Sequence, residues 1–321
     1  MVVAALCVGT SSASSPPKHV PRVHVWKVAY RTHDGDKRFA YVVAPAHWTK
    51  DDPALPLIIS PHGRGIGGRA NARLWRALPA DGPFVVVSPD GQGRRLARFS
   101  WGYRGQIDDL ARMPSIVEET LPRIKIDRTR VFAVGGSMGG QEILLLAALH
   151  PKLLAGAAVF DGVADFAMQY WNFRHLPCHA QCKRQWGGSL GRGVQSLARI
   201  EVGGNPRHRA AAYRARSPIS FARRLASSQV PVQFWWSGAD LIVRNQSKQS
   251  GRLFERIRRL NPDAPVEAFV GRWRHSAELV RGPYLRFALQ GFDLLSTEWV
   301  ERPFHLHFEP PPDTWPWEQQ P

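Results

Sequence analysis

The sequence predicts an α/β domain with a mostly parallel central sheet of about eight strands and helices on both faces. Two observations carry that expectation. The runs PLIIS, FVVVS, VFAVG, GAAVF and VQFWW are apolar throughout, without the polar alternation of a sheet wetted on one side. Between such runs lie stretches with apolar residues at three- and four-residue spacing, the period of a helix. Strands that alternate with helices are joined by crossovers, which makes neighbouring strands parallel.

Taken in chain order, residues 1–21 read as a leader. A short apolar block, Val2 to Val8, precedes small residues, and Ser11-Ser12-Ala13 resembles a signal-peptidase site. Export from the cell is the expectation that follows. Strands are expected over 23–31 and 38–45, joined directly through HDGDK, where Asp34-Gly35 is a good turn pair. That succession predicts an antiparallel hairpin at one sheet edge. Further strands are expected over 57–61, 84–89, 130–135, 155–160, 230–236 and 266–270, and helices over 108–121, 138–148, 246–260 and 276–294. The main domain is thus 22–300, and 301–321 is a Pro-rich, irregular tail.

Residues 171–217 break the rhythm. They are rich in Gly, Arg and His, and sit between a strand and the next helix. The expectation is an insertion that arches over the C-terminal edge of the sheet as a lid, with Trp171, Phe173 and Trp186 as a wall of an acyl pocket. Cys178 and Cys182 lie in this stretch. In an oxidising compartment a local bridge between them is the natural reading, since zinc needs about four ligands and only His175 and His179 lie nearby.

Composition narrows the function classes. A chain of 321 residues with 44% hydrophobic residues, 12 Trp and 15 Phe can bury a sizeable core and is not disordered. It has no stretch of 18 or more apolar residues, so no transmembrane span is expected. The balance is strongly basic, 43 Lys and Arg against 26 Asp and Glu. The cations are spread along the whole chain rather than gathered in a stripe or nucleic-acid module. They predict solubility and weak anion affinity, with no specific nucleic-acid partner.

Chemistry enters at Gly135-Gly136-Ser137-Met138-Gly139-Gly140, which follows the strand VFAV and precedes the apolar helix QEILLLAALH. A G-x-S-x-G in that context is a nucleophile elbow. The chain reverses sharply between strand and helix, lifting the Ser137 hydroxyl clear of the sheet. The Met138 N–H then sits at a helix start, where an oxyanion can be held. A serine hydroxyl is too weakly acidic to attack unaided, so an acid and a base should follow in that order. Asp240 ends the strand VPVQFWW in the loop SGAD, and His275 ends VEAFV in the loop GRWRH. Asp161, after AGAAVF, is the rival acid. The second oxyanion donor is expected after the third strand, where Ser60-Pro61-His62-Gly63-Arg64-Gly65 offers the backbone N–H of Arg64. Together these motifs predict an α/β-hydrolase fold.

The stretches GGSMGG, YRARSPISFARRL and VPVQFWWSGADLIVRNQS, with the His of GRWRHSAEL, resemble the catalytic domain of prolyl-oligopeptidase-like hydrolases. DRTRVFAVGGSMGGQE followed by HPKLLAGAAVFDG is also similar to secreted polyhydroxybutyrate-depolymerase and feruloyl-esterase-like proteins. The resemblance covers roughly residues 55 to 295. It implies hydrolysis through an acyl-enzyme, with Ser137, Asp240 and His275 at the family's triad positions, and no metal or organic cofactor. Two features depart from it. Oligopeptidases carry a large β-propeller ahead of the hydrolase domain, whereas about 55 residues precede the third strand here. Esterase relatives often carry an apolar or small residue where Arg64 stands.

The expected function is hydrolysis of a carboxylic ester, small or polymeric. Two alternatives stay open: a serine peptidase or amidase, and a non-catalytic binding protein that keeps the fold.

Overall fold

The computed structural model describes residues 22–75, 77–178, 183–184, 190–280 and 284–296. The expected leader, the tail, His179, Cys182 and Trp186 lie outside them. Eight strands form one sheet: β1 (Val23–Arg31), β2 (Lys37–Pro45), β3 (Leu55–Ile59), β4 (Val85–Pro89), β5 (Ile126–Gly136), β6 (Gly156–Phe160), β7 (Val232–Ser237) and β8 (Val266–Gly271). Their order is β1-β2-β4-β3-β5-β6-β7-β8. β2 runs antiparallel to both β1 and β4, and every other pairing is parallel. The edge hairpin is present, with Gly35 at φ 87° in its turn. Among the described residues no helix is long and apolar enough to cross a membrane.

The helices that matter here are α1 (Gly68–Ala72), α2 (Leu78–Asp81), α3 (Arg104–Ala111), α4 (Met113–Thr120), α5 (Met138–Leu149) and α6 (Phe166–Asn172). They are followed by α7 (Leu190–Val202), α8 (Ala210–Ala215), α9 (Ala222–Ser227), α10 (Ser250–Leu260), α11 (Ala277–Val280) and α12 (Tyr284–Gln290). The pleat sends alternate strand residues to opposite faces. Val131 and Ala133 of β5 enter one core with α3, α4, α5, α9 and α10, through residues such as Ile107, Ile116, Leu144, Leu225 and Phe254. Phe132 and Val134 enter a second core, with Trp75, Leu78, Leu285 and Leu289. Both faces are covered, which is why the central strands carry no polar alternation.

The structure differs from the sequence expectation in the helices. The single helix expected over 108–121 is two, broken at Arg112 with Pro114 in the first turn of α4. Proline has no N–H to donate and its ring crowds the preceding turn, so it starts a helix rather than continuing one. The helix expected over 246–260 is a short 3₁₀ turn and then α10, divided at Gln249. The side chain of Gln249 accepts from the backbone N–H groups of Ala164 and Asp165, which ties this break to the loop after β6. Within 276–294 the described residues form α11 and α12, and residues 281–283 between them lie outside the described residues.

Within 171–217 the described residues include the end of α6 and all of α7 and α8. Helices α6, α7 and α8 surround a third apolar core formed by Phe166, Tyr170, Phe173, Val194, Ala198, Val202 and Tyr213. That core also takes in Trp101, Val243 and Met138, the residue after the elbow serine.

Candidate active site

The parallel strands end in register, and this places the site. Gly136 of β5 pairs with Phe160 of β6, and the Ser137 N–H donates to the Phe160 carbonyl at 2.9 Å. The Asp161 N–H continues the ladder to the Trp235 carbonyl at 2.8 Å, and Gly238 N–H to the Gly271 carbonyl at 2.8 Å. Ser137, Asp161, Asp240 and His275 therefore leave four adjacent strands at one edge.

Ser137 has φ 58° and ψ −124°, a conformation that L-residues rarely adopt. Asp161 (φ 49°) and Ser276 (φ 51°) are strained in the same sense, so three positive-φ residues cluster at this edge. Gly139 is needed for close approach, since a Cβ there would lie 2.5 Å from the Pro61 carbonyl oxygen. At Gly135 the nearest obstacle to a Cβ is instead a side-chain atom, Ile143 Cδ1 at 3.0 Å, with the Pro61 oxygen at 3.3 Å. The start of α5 thus presses against the 61–64 loop. The first N–H groups of a helix have no partner within it, so the Met138 N–H is free to serve this edge.

The 61–64 loop is fixed by a residue that the motif reading passed over. His62 is buried, its Nε2 accepts from the Gly91 N–H at 2.8 Å, and its Nδ1 lies 2.8 Å from its neighbour's carbonyl, Gly63 O. One nitrogen must accept and the other donate, so the ring is neutral with the proton on Nδ1. Burial lowers its pKa, which agrees. The clamp stitches the 61–64 loop to the loop after β4.

His275 Nδ1 lies 2.8 Å from Asp240 Oδ2. Asp240 is itself held by the backbone N–H groups of Ile242 and Val243, at 2.8 and 3.0 Å, and by the Gln246 side chain at 3.3 Å. Asp161, fully buried, does different work. Its Oδ1 accepts from the Ser237 N–H at 2.8 Å, and its Oδ2 from Trp273 Nε1 at 2.9 Å and the Ser276 N–H at 2.7 Å. It brackets the His275 loop without touching the imidazole. Burial pushes its pKa up, while nearby His275 pulls it down and Asp240 adds to the rise.

Ser137 and His275 line one cavity of about 230 Å³ with Gly63, Arg64, Ile66, Leu74, Ile242 and Leu279. Ser276, also in its lining, has a buried hydroxyl oxygen without a hydrogen-bond partner among the described residues. Trp171 and Phe173, expected to wall an acyl pocket, are not among its lining residues. Phe173 is buried against Trp101, and Trp171 lies between Arg174 and Arg207. The apolar wall is formed by Ile66, Leu74, Ile242 and Leu279. Among the described residues, Asp161, Asp240 and His275 form the one group close enough together to hold a metal ion. Their oxygens are already engaged by N–H donors, so the set reads as a hydrogen-bonded support. The expected Cys178–Cys182 bridge falls on Cys182, outside the described residues.

No protein-family model matches the chain, and no curated protein matches it in sequence. Solved structures do match in shape. An S-formylglutathione hydrolase from Staphylococcus aureus is similar over 84% of this chain and 99% of its own, at 14% identity and a TM-score of 0.59. Carboxyl esterase 2 from the fungus Tuber melanosporum is similar over 89% of both chains, at 16% identity and a TM-score of 0.61. The acylaminoacyl peptidase of Pyrococcus horikoshii matches 89% of this chain but 42% of its own, at 16% identity and a TM-score of 0.62. With the strand order and the elbow, these likenesses establish that the chain has the α/β-hydrolase fold.

Proposed function

We propose that the protein is a serine hydrolase that cleaves a carboxylic ester through an acyl-enzyme. The observation that carries this reading is the hydrogen-bonded Asp240–His275 pair at the mouth of the strained Ser137 elbow. Ser137 Oγ attacks the acyl carbon while His275 Nε2 takes its proton. Asp240 holds the ring through Nδ1–H and stabilises the imidazolium that forms. The backbone N–H groups of Met138 and Arg64 hold the oxyanion, each donor being worth roughly 3 kcal/mol in the transition state. His275 then passes the proton to the leaving alcohol. It next deprotonates a water, which attacks the acyl-enzyme and releases the acid.

The ester reading is preferred to the peptidase reading on the lining of the cavity. Among the described lining residues there is no carboxylate to hold a substrate ammonium group, and four are aliphatic. The similar structures include both esterases and peptidases, so they leave this choice open. The test is labelling by a fluorophosphonate probe with the modified peptide identified, alongside turnover of a 4-nitrophenyl acyl ester and of a blocked dipeptide amide. The expected result is a label on Ser137, ester turnover, and loss of both in Ser137→Ala. A label elsewhere, or turnover that survives Ser137→Ala, would overturn the assignment.

A further inference from the structure

Arg64 stands out in the cavity. Among the described lining residues it is the only Lys or Arg, and none of them is Asp or Glu. Its guanidinium makes no hydrogen bond or ion pair with any described residue. Arg216, buried elsewhere in this chain, does not stand alone: it is paired with Glu201 at 2.9 Å. Removing a guanidinium from water without a partner costs free energy, and the surrounding fold normally supplies one. At Arg64 burial lowers the pKa and no neighbouring acid offsets the effect. Arg64 is half-buried, and among the described residues nothing supplies its counter-charge.

We propose that Arg64 selects an ester bearing a free carboxylate, such as a half-ester of a dicarboxylic acid. The inference rests on the hydrolase reading above. The chemistry fits one small anion. A planar guanidinium presents a two-pronged donor edge that matches a carboxylate, and its strength grows where water is excluded. The remaining cavity wall is aliphatic, suited to the methylene chain between the carboxylate and the scissile carbonyl. The same residue then acts twice, its backbone N–H toward the oxyanion and its side chain toward the anionic end of the substrate.

The experiment compares mono-4-nitrophenyl succinate, glutarate and adipate with neutral 4-nitrophenyl butyrate. In the parent, kcat/KM for at least one half-ester should exceed that of butyrate by about tenfold or more. In Arg64→Met the ratio should fall toward one, and Arg64→Lys should recover part of it. The ratio is the readout because the substitution can change absolute rates through the loop. Parity in the parent, or a ratio that survives Arg64→Met, would overturn the proposal. Should Arg64→Met fail to fold, the parent ratio and Arg64→Lys decide. A second arm does not depend on turnover. Calorimetry on Ser137→Ala should show monomethyl glutarate binding at least tenfold more tightly than dimethyl glutarate, and equal binding would sink the idea. Fluorophosphonate labelling judges the hydrolase reading separately, so failure of one is distinguishable from failure of the other.

Discussion

Asp161 and Asp240 leave neighbouring strands, and an oxygen of each lies within 4.8 Å of a His275 ring nitrogen. The donors around them divide their work. Asp240 meets the imidazole, and Asp161 meets Trp273 Nε1 and the Ser276 N–H on either side of it. In Asp240→Asn the oxygen stays with the Ile242 and Val243 N–H groups, so an uncharged NH₂ faces Nδ1. It favours the wrong tautomer and cannot stabilise an imidazolium, and kcat should fall by about 10⁴. In Asp161→Asn one oxygen becomes an NH₂ group facing N–H donors. Losing charged hydrogen bonds of roughly 1.5–3 kcal/mol each should lower stability by about 3 kcal/mol. That is a fall of roughly 6–12 °C in Tm, with a smaller effect on kcat than Asp240→Asn. Steady-state kinetics and calorimetry on both variants check this. A larger kcat loss in Asp161→Asn at unchanged Tm would make Asp161 the working acid. Position after a strand made both carboxyls candidates in the sequence. What separates them is a set of hydrogen bonds made by residues far apart in the chain.

At the scale of elements, Glu201 shows how the segment after β6 is anchored. It lies in α7, fully buried, and accepts from the backbone N–H groups of Arg94, Arg95 and Leu96 at 2.7, 2.8 and 3.0 Å. Arg216 Nη2 donates to it as well, at 2.9 Å, and Arg216 Nη1 donates to the Ser100 carbonyl. One carboxylate therefore joins α7, the loop after β4 and the end of α8. Glu201→Ala leaves an uncompensated buried guanidinium and three orphaned N–H groups. The expected cost is about 3–5 kcal/mol, a fall of roughly 6–20 °C in Tm. A scanning-calorimetry shift under about 2 °C would show that the segment is not anchored there. The strands were legible because apolar runs need no partner to be recognised, and β1 ends where its pattern ends. The divided helices were less so, since a periodic pattern runs on through Pro114 and Gln249 while the backbone does not. The amphipathic signal of α7 was present in Leu190, Val194, Leu197, Ala198 and Val202. It was masked by Gly191 and Gly193 and by the surrounding arginines. The Ser, Asp, His order was legible because it is linear. The His62 clamp and the unpaired Arg64 were not, because each is defined by what surrounds it in space.

The molecule as a whole carries 43 Lys and Arg against 26 Asp and Glu, so each buried carboxyl matters to its response to pH. Glu142, one turn into α5, is fully buried with the Ser100 hydroxyl on its Oε1, and burial pushes its pKa up to about 8. Its ordinary value is 4.5, so between pH 4.5 and about 8 the folded state keeps a proton that the unfolded chain releases. Where the native state binds more protons, stability falls as pH rises. The contribution of the protonated carboxyl is fully present below pH 4.5 and is lost as pH climbs through 8. Other groups titrate in the same window, the 12 histidines above all, so the parent's own profile mixes several effects. Glu142→Gln isolates one of them, because glutamine keeps the shape and an accepting oxygen but has no proton to lose. Measured against the parent, the variant's Tm should differ by under about 2 °C at pH 5 and exceed the parent's by about 4 °C or more at pH 8.5. A difference that stays the same at both pH values would mean that Glu142 is already ionised in the folded protein, its charge held by the hydrogen bonds around it.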